Sequence, residues 1–311
     1  MEEQPAPARP PWGNWLKAVA GFVAPTTLLT GLLFYFGYAY TSSLYSYFGV
    51  DVATLGLSTQ DLLLRSPASL YMPLAVALAA GLAGALGLAW VSSLGDARPG
   101  LVRRLGHVGV GLALCGGALF VLGLLGGLQV WPAGPLDTPL LLGGGLLLVV
   151  YGRTLHLKTT GHPFPGELKT LAIVAALIAV SLFWAVQAYA QIHGRDDGRE
   201  LARNLWHRPM VVVDTPEQLY FGAAPVQETS LPAGGPGQKY KYRYRGVRLL
   251  AQSGNRMFLI PDGWTRTRGF VVMVPADGTV RVAFRRELGL VTSPTPTAPP
   301  PRTAAPPPAP R

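Results

Sequence analysis

The sequence predicts an α-helical membrane bundle of about five transmembrane helices, a small β-rich C-terminal domain and a disordered Pro-rich tail. Three observations predict it. The runs Ala18–Tyr40, Ser69–Val91, Val108–Val130, Leu140–Tyr151 and Leu171–Ala190 contain no Asp, Glu, Lys, Arg or His. Lys and Arg collect in alternate gaps between these runs. After residue 207 the apolar residues alternate instead of filling whole windows, which is a strand pattern. Only 14% of the chain is charged, whereas soluble domains carry nearer a quarter.

Residues 1–17 form a Pro-rich tail with Arg9 and Lys17. The apolar stretch that follows is too long for a cleavable signal peptide and lacks a small-x-small cleavage site. It reads as a retained signal anchor. About 20 apolar residues at roughly 1.5 Å each cross a hydrocarbon core of about 30 Å. Four runs meet this length. The fourth needs residues 135–155, which places Asp137 and Arg153 in the two headgroup layers. The expected spans are thus 18–40, 69–91, 108–130, 135–155 and 171–190.

Orientation follows from charge. The N-terminal tail, the second gap (Arg98, Arg103, Arg104) and the fourth gap (Arg153, Lys158, Lys169) are basic, while the first and third gaps hold only Arg65. The positive-inside rule then puts the N-terminus in the cytoplasm. Five crossings leave residues 191–311 extracytoplasmic. Without the fourth span the basic fourth gap would fall on the wrong side. The exported part carries 17 basic and 9 acidic residues. That excess suits either an anionic neighbour, as lipid headgroups or an acidic wall polymer, or an ordinary solvated surface.

The first outer loop is rich in aromatics, including Tyr45, Tyr47 and Phe48 after Tyr35, Tyr38 and Tyr40. Asp51 follows, then Ser58 three residues before Asp61, an aspartate version of the capping box. The segment reads either as a loop and cap closing the bundle or as a ligand site. Within the spans, small residues recur four apart at Ala80/Gly84, Ala83/Gly87, Gly109/Ala113/Gly117 and Gly123/Gly127. Such faces let backbones approach, within the chain or in a homo-oligomer. The missing intramembrane charges count against pumps and ion-coupled transporters. A channel lined by Thr26, Thr27, Thr30, Ser181 and Gln187 stays open, with Pro25 kinking the first helix.

A linker helix over 191–206 leaves the membrane, weakened by Gly194 and Gly198. The β-rich domain occupies 207–290, with strands expected at Met210–Asp214, Gln218–Phe221, Tyr240–Gln252, Arg256–Pro261, Phe270–Pro275 and Thr279–Phe284. Ser253-Gly254-Asn255 and Ala276-Asp277-Gly278 read as hairpin turns. A domain of this size is near the minimum for a core without disulfides, and Cys115 is the only cysteine. Contact with the membrane half is expected to support it. Residues 291–311 are Pro/Thr/Ala-rich and expected to be disordered.

The candidate interaction residues are Lys239, Lys241, Arg243 and Arg245, with Tyr45, Tyr47, Asp51 and Asp61 in the outer loop. In Lys239–Arg245 cations and tyrosines alternate, so period two puts the cations on one strand face. Basic residues among aromatics also suit nucleic acid, but the extracytoplasmic location disfavours it. His193, Asp196, Asp197 and Glu200 would share one helix face and could hold a metal, yet Arg195, Arg199 and Arg203 between them favour local ion pairs. No GxSxG, HExxH or phosphate-binding Gly loop occurs. No enzyme activity, cofactor or metal is expected.

Tyr47-Phe48-Gly49-Val50-Asp51 with Leu57–Ser66, Trp184–Ala190 and Leu249–Pro261 resembles a family of uncharacterised multi-pass membrane proteins of high-GC Gram-positive bacteria. The resemblance covers the membrane half and the β-rich part, but not the tail. It implies a four- or five-helix bundle in the bacterial cell membrane with a small appended domain, and carries over no activity or site. The function expected is a non-catalytic envelope protein whose exported basic domain meets a partner protein or anionic polymer. The alternative is a channel or transporter subunit.

Overall fold

A computed structural model describes residues 12–94, 99–160, 168–221 and 225–285. The tail up to residue 11 and the expected disordered tail 291–311 lie outside the described residues. Six helices come first: α1 (Trp12–Ser46), α2 (Val52–Leu55), α3 (Thr59–Leu94), α4 (Pro99–Gly127), α5 (Asp137–Thr160) and α6 (Leu168–Arg203). After a 3-10 turn at Leu205–His207 come six strands: β1 (Met210–Thr215), β2 (Gln227–Ser230), β3 (Tyr242–Ser253), β4 (Arg256–Pro261), β5 (Val272–Pro275) and β6 (Arg281–Arg285).

Among the described residues four helices are long and apolar enough to cross a membrane: Thr59–Val91, Arg104–Gly127, Asp137–Thr160 and Lys169–Arg203. The short fourth apolar run therefore lies in a helix of sufficient length. The expected first span falls on α1, where the side chains of residues 12–22 lie outside the described residues. The bundle is apolar on the outside. Tyr71, Leu74, Leu78, Leu82 and Trp90 of α3 are all exposed, as suits helices surrounded by hydrocarbon rather than water.

Glycine sets the helix spacing, and part of the expected four-residue face takes part: Gly109 and Ala113 lie in the seam, since a Cβ at Gly152 would stand 2.6 Å from the Ala113 nitrogen. A Cβ at Gly116 would lie 2.6 Å from the Gly145 carbonyl oxygen, and one at Gly109 would lie 2.8 Å from that of Gly152. At Gly123 it would meet the Leu142 backbone nitrogen at 2.8 Å. The α4–α5 seam thus uses Gly109, Gly116 and Gly123, seven apart, running antiparallel to α5. Gly117, which the four-residue pattern includes, faces open space. Seven residues return to nearly the same helix face, about 20° off, whereas repeated steps of four drift by about 40° each. On α3, a Cβ at Gly84 would meet the Tyr151 ring at 3.6 Å, and one at Gly87 would stand 2.6 Å from the Tyr151 hydroxyl.

The region expected to be a weakened linker is the last part of α6, continuous with its apolar run. The helix runs unbroken through Gly194 and Gly198, which admit α1. A Cβ at Gly198 would stand 3.0 Å from both the Leu44 carbonyl oxygen and the Tyr47 Cβ, and one at Gly194 would strike the Tyr40 carbonyl. Here the packing gain offsets poor helix propensity.

The sheet is antiparallel, in the order β5-β4-β3-β1-β6, with β2 also pairing β3. β3 and β4 join through Gly254 and Asn255, because Ser253 pairs directly with Arg256. Gly254 takes the positive φ of +53° that this tight turn needs. Residues Gln218–Phe221, expected as a strand, are not one. Leu219 and Phe221 instead pack on the sheet from a loop, and the Leu219 amide donates to the Tyr244 hydroxyl at 2.6 Å. β2 was not expected, since its four residues are polar and all exposed, with no alternation to read.

Candidate interaction surface

Two clusters sandwich the sheet. On one face Val211, Val213, Tyr244, Val247, Leu259 and Val274 form the domain's own core. On the other, Leu250, Ala251, Phe258, Ile260 and Trp264 bury themselves against Tyr45, Phe48, Val50, Val52 and Leu55 of the membrane half. The aromatic segment between α1 and α3 is therefore the socket in which the domain sits. Leu55 is fully buried and Tyr45 only 3% exposed. Polar contacts fix the seat. Ser253 donates to the Gly56 carbonyl at 2.8 Å, and the Arg256 guanidinium reaches the Thr54 carbonyl at 3.3 Å. The buried Arg248 pairs with Asp262 and donates to the carbonyls of Trp206 at 2.9 Å and Arg208 at 3.1 Å, tying the sheet to the end of α6.

This placement gives the four loop candidates structural work. Tyr45 accepts from Arg65 at 3.2 Å, with the guanidinium also over its ring. Tyr47 packs edge-on to Phe48 and lies under Arg266. Asp51 caps α2 by accepting from the Ala53 amide at 2.9 Å. Asp61 accepts from the Ser58 amide at 3.0 Å while Ser58 accepts from the Asp61 amide at 3.1 Å. That is the reciprocal capping box at the start of α3.

The basic segment keeps its alternation. Lys239, Lys241 and Arg245 are exposed, whereas Tyr240 and Tyr242 are half-buried and Tyr244 fully buried. Two of the cations already have partners. Lys239 donates to the Gly278 carbonyl at 2.7 Å. Arg243 grips Asp214 with two hydrogen bonds, at 2.7 and 2.9 Å. That bidentate contact holds the Asp214 carboxyl below the usual carboxylate range despite burial, with Arg281 and Arg245 adding attraction. Burial pushes the Tyr244 hydroxyl up.

Register extends the patch beyond the segment. Asp214 pairs with Arg243 on one side and Arg281 on the other, and Met210 pairs with Arg285. Arg281 and Arg285 are exposed. They lie about 40 residues from the basic strand and have no alternating neighbours of like charge, so only strand pairing assembles them with Arg243 and Arg245.

The four potential metal ligands on α6 do not converge. Asp196 pairs with Arg199 at 2.7 Å. Asp197 accepts from the Tyr40 hydroxyl at 2.6 Å and faces His193 at 3.7 Å. Among the described residues no group of three His, Cys, Asp or Glu could hold a metal. The hydroxyls of Thr26 and Thr30 donate to carbonyls of their own helix, those of Val23 and Thr26, each at 2.9 Å. A cleft of about 670 Å³, lined by residues that include Trp131, Trp184, Gln187 and Gln191, opens between the α4–α5 turn and α6. No sequence pattern marks it, because its walls come from distant segments. No protein-family model matches the chain, and neither a curated protein nor a solved structure matches it.

Proposed function

We propose that this chain is a non-catalytic membrane envelope protein that holds a small basic β domain against the extracytoplasmic end of its helical bundle, for binding an anionic polymer or a partner protein. One observation carries the reading: the sheet is seated in the aromatic loop through a buried apolar cluster, while Lys241, Arg245, Arg281 and Arg285 stay exposed. A domain fixed rigidly to a bundle presents its charges at a set height and angle, which suits recognition at a membrane surface. The orientation rests on the alternating basic gaps. The helix-bonded Thr hydroxyls support this reading over a hydroxyl-lined channel.

Two measurements test it. A cysteine at Tyr220, which is 82% exposed, on a Cys115→Ala background should react with an impermeant maleimide on intact cells. Labelling only after lysis would overturn the orientation. Replacing Lys241, Arg245, Arg281 and Arg285 by Glu should abolish retention of the full-length protein on an immobilised polyanion. Unchanged retention at physiological salt would overturn the basic-surface reading.

A further inference from the structure

We infer that the anionic partner of the basic face is lipid headgroup, bound in the leaflet beside the bundle. This rests on the basic-surface reading above and names its ligand.

Strand register gives the direction in which the face looks. Ala251 pairs with Phe258 and Arg248 with Ile260, and Phe258, Ile260 and Ala251 belong to the cluster buried against the bundle. That face of the sheet therefore points toward the membrane half. Met210 pairs with Arg248, and Asp214 with Arg243, so Met210, Val212 and Asp214 share the same face by alternation. Across the next ladder, Arg285 pairs with Met210, Ala283 with Val212 and Arg281 with Asp214. Arg243, Arg281 and Arg285 thus lie on the bundle-facing side, with Arg245 joining them two residues from Arg243.

Arg281 and Arg285 are displaced sideways from the seat, and Arg243 and Arg245 along β3, seven and five residues from Leu250. β1 and β6 lie one and two strands from β3, about 5 and 10 Å. Strand twist of roughly 20–25° per step tilts this part of the face without turning it over. The docking segment begins at Tyr45, five residues beyond Tyr40, or about 8 Å along a helix. The headgroup layer extends roughly 5–7 Å beyond the hydrocarbon. Attraction to an anionic leaflet reaches about one Debye length, 8–10 Å, beyond the headgroups.

The chemistry fits phosphate better than protein. Beyond the buried Arg248, the face holds Arg243, Arg245, Arg281, Arg285 and Lys241 with one carboxylate, Asp214, and its apolar members there are Met210, Val212 and Ala283. It lacks the aromatic anchors that concentrate energy in protein interfaces. Phe284, exposed on β6, pairs with Val211 and so lies on the opposite face.

The test uses the full chain in lipid nanodiscs, with a nitroxide on Ala283→Cys in the Cys115→Ala background and a second label at Tyr220→Cys as the remote control. Discs of phosphatidylcholine are compared with discs containing phosphatidylglycerol. The Ala283 label is expected to be severalfold less accessible to a water-soluble nickel relaxant in the anionic discs, and to recover in high salt. The Tyr220 label should not change. Arg245→Glu with Arg281→Glu and Arg285→Glu should remove the difference, with Trp264 fluorescence confirming that the domain remains seated. Equal accessibility in both discs overturns the lipid inference. In that case, retention of the neutral-disc protein by soluble polyphosphate leaves the broader basic-surface reading standing, and loss of retention overturns both.

Discussion

Ser253, in the turn that closes β3, donates its hydroxyl to the carbonyl of Gly56, 197 residues earlier, at 2.8 Å. Gly56 ends α2 in a left-handed conformation with φ +64°. The contact satisfies a carbonyl at a helix end, which would otherwise be orphaned where the domain covers it. The β domain thus completes the loop between α1 and α3 as the loop completes the domain.

Truncating the socket should therefore unseat the domain. Leu55→Ala removes a fully buried side chain, for which about 2–5 kcal/mol is typical. Ser253→Ala should cost less, about 1 kcal/mol. Hydrogen exchange should show β4 opening in Leu55→Ala, with α4 and α5 unaffected. Exchange in β4 as slow as in the parent protein would refute mutual support.

Gly116→Leu should damage the α4–α5 pair, because the new Cβ would stand 2.6 and 2.7 Å from backbone atoms of Gly145 and Val149. Overpacking of this kind costs about 1–3 kcal/mol or more. At Gly117 an added Cβ would meet nothing within 4 Å, so Gly117→Leu should be close to neutral. Thermal unfolding in detergent separates the two, and equal midpoints would sink the seven-residue seam.

Asp214 should make the domain acid-sensitive. Its folded-state affinity for protons is lowered by Arg243, relative to about 3.9 in an unfolded chain. Its contribution is therefore complete above about pH 4 and is lost as pH falls through the lower folded value. Asp214→Asn should destabilise the domain by about 1.5–3 kcal/mol at neutral pH. The gap from the parent protein should narrow below about pH 4, as followed by denaturant unfolding at several pH values.

Tyr244 acts at the other end of the scale. Burial raises its hydroxyl above the ordinary value of about 10. Its contribution is complete below that value and is lost as pH rises through the folded one. Tyr244→Phe should cost about 0.5–1.5 kcal/mol near neutrality through the lost Leu219 hydrogen bond. It should also blunt the alkaline transition in the same unfolding assay.

The sequence by itself determined the four apolar helices, the hairpin at Gly254 and the capping box of Ser58 and Asp61. These depend on local composition, on backbone conformation and on neighbours within four residues. It also determined that the cations of Lys239–Arg245 alternate with tyrosines. Tertiary structure alone decided what those elements meet. Gly109, Gly116 and Gly123 became a seam because α5 lies against that face. The aromatic loop became a socket because β3 and β4 carry apolar residues on both faces and need a second surface to bury them. Arg281 and Arg285 joined Arg243 only through the ladder of β1, since strand pairing brings together residues whose separation along the chain leaves no periodic trace.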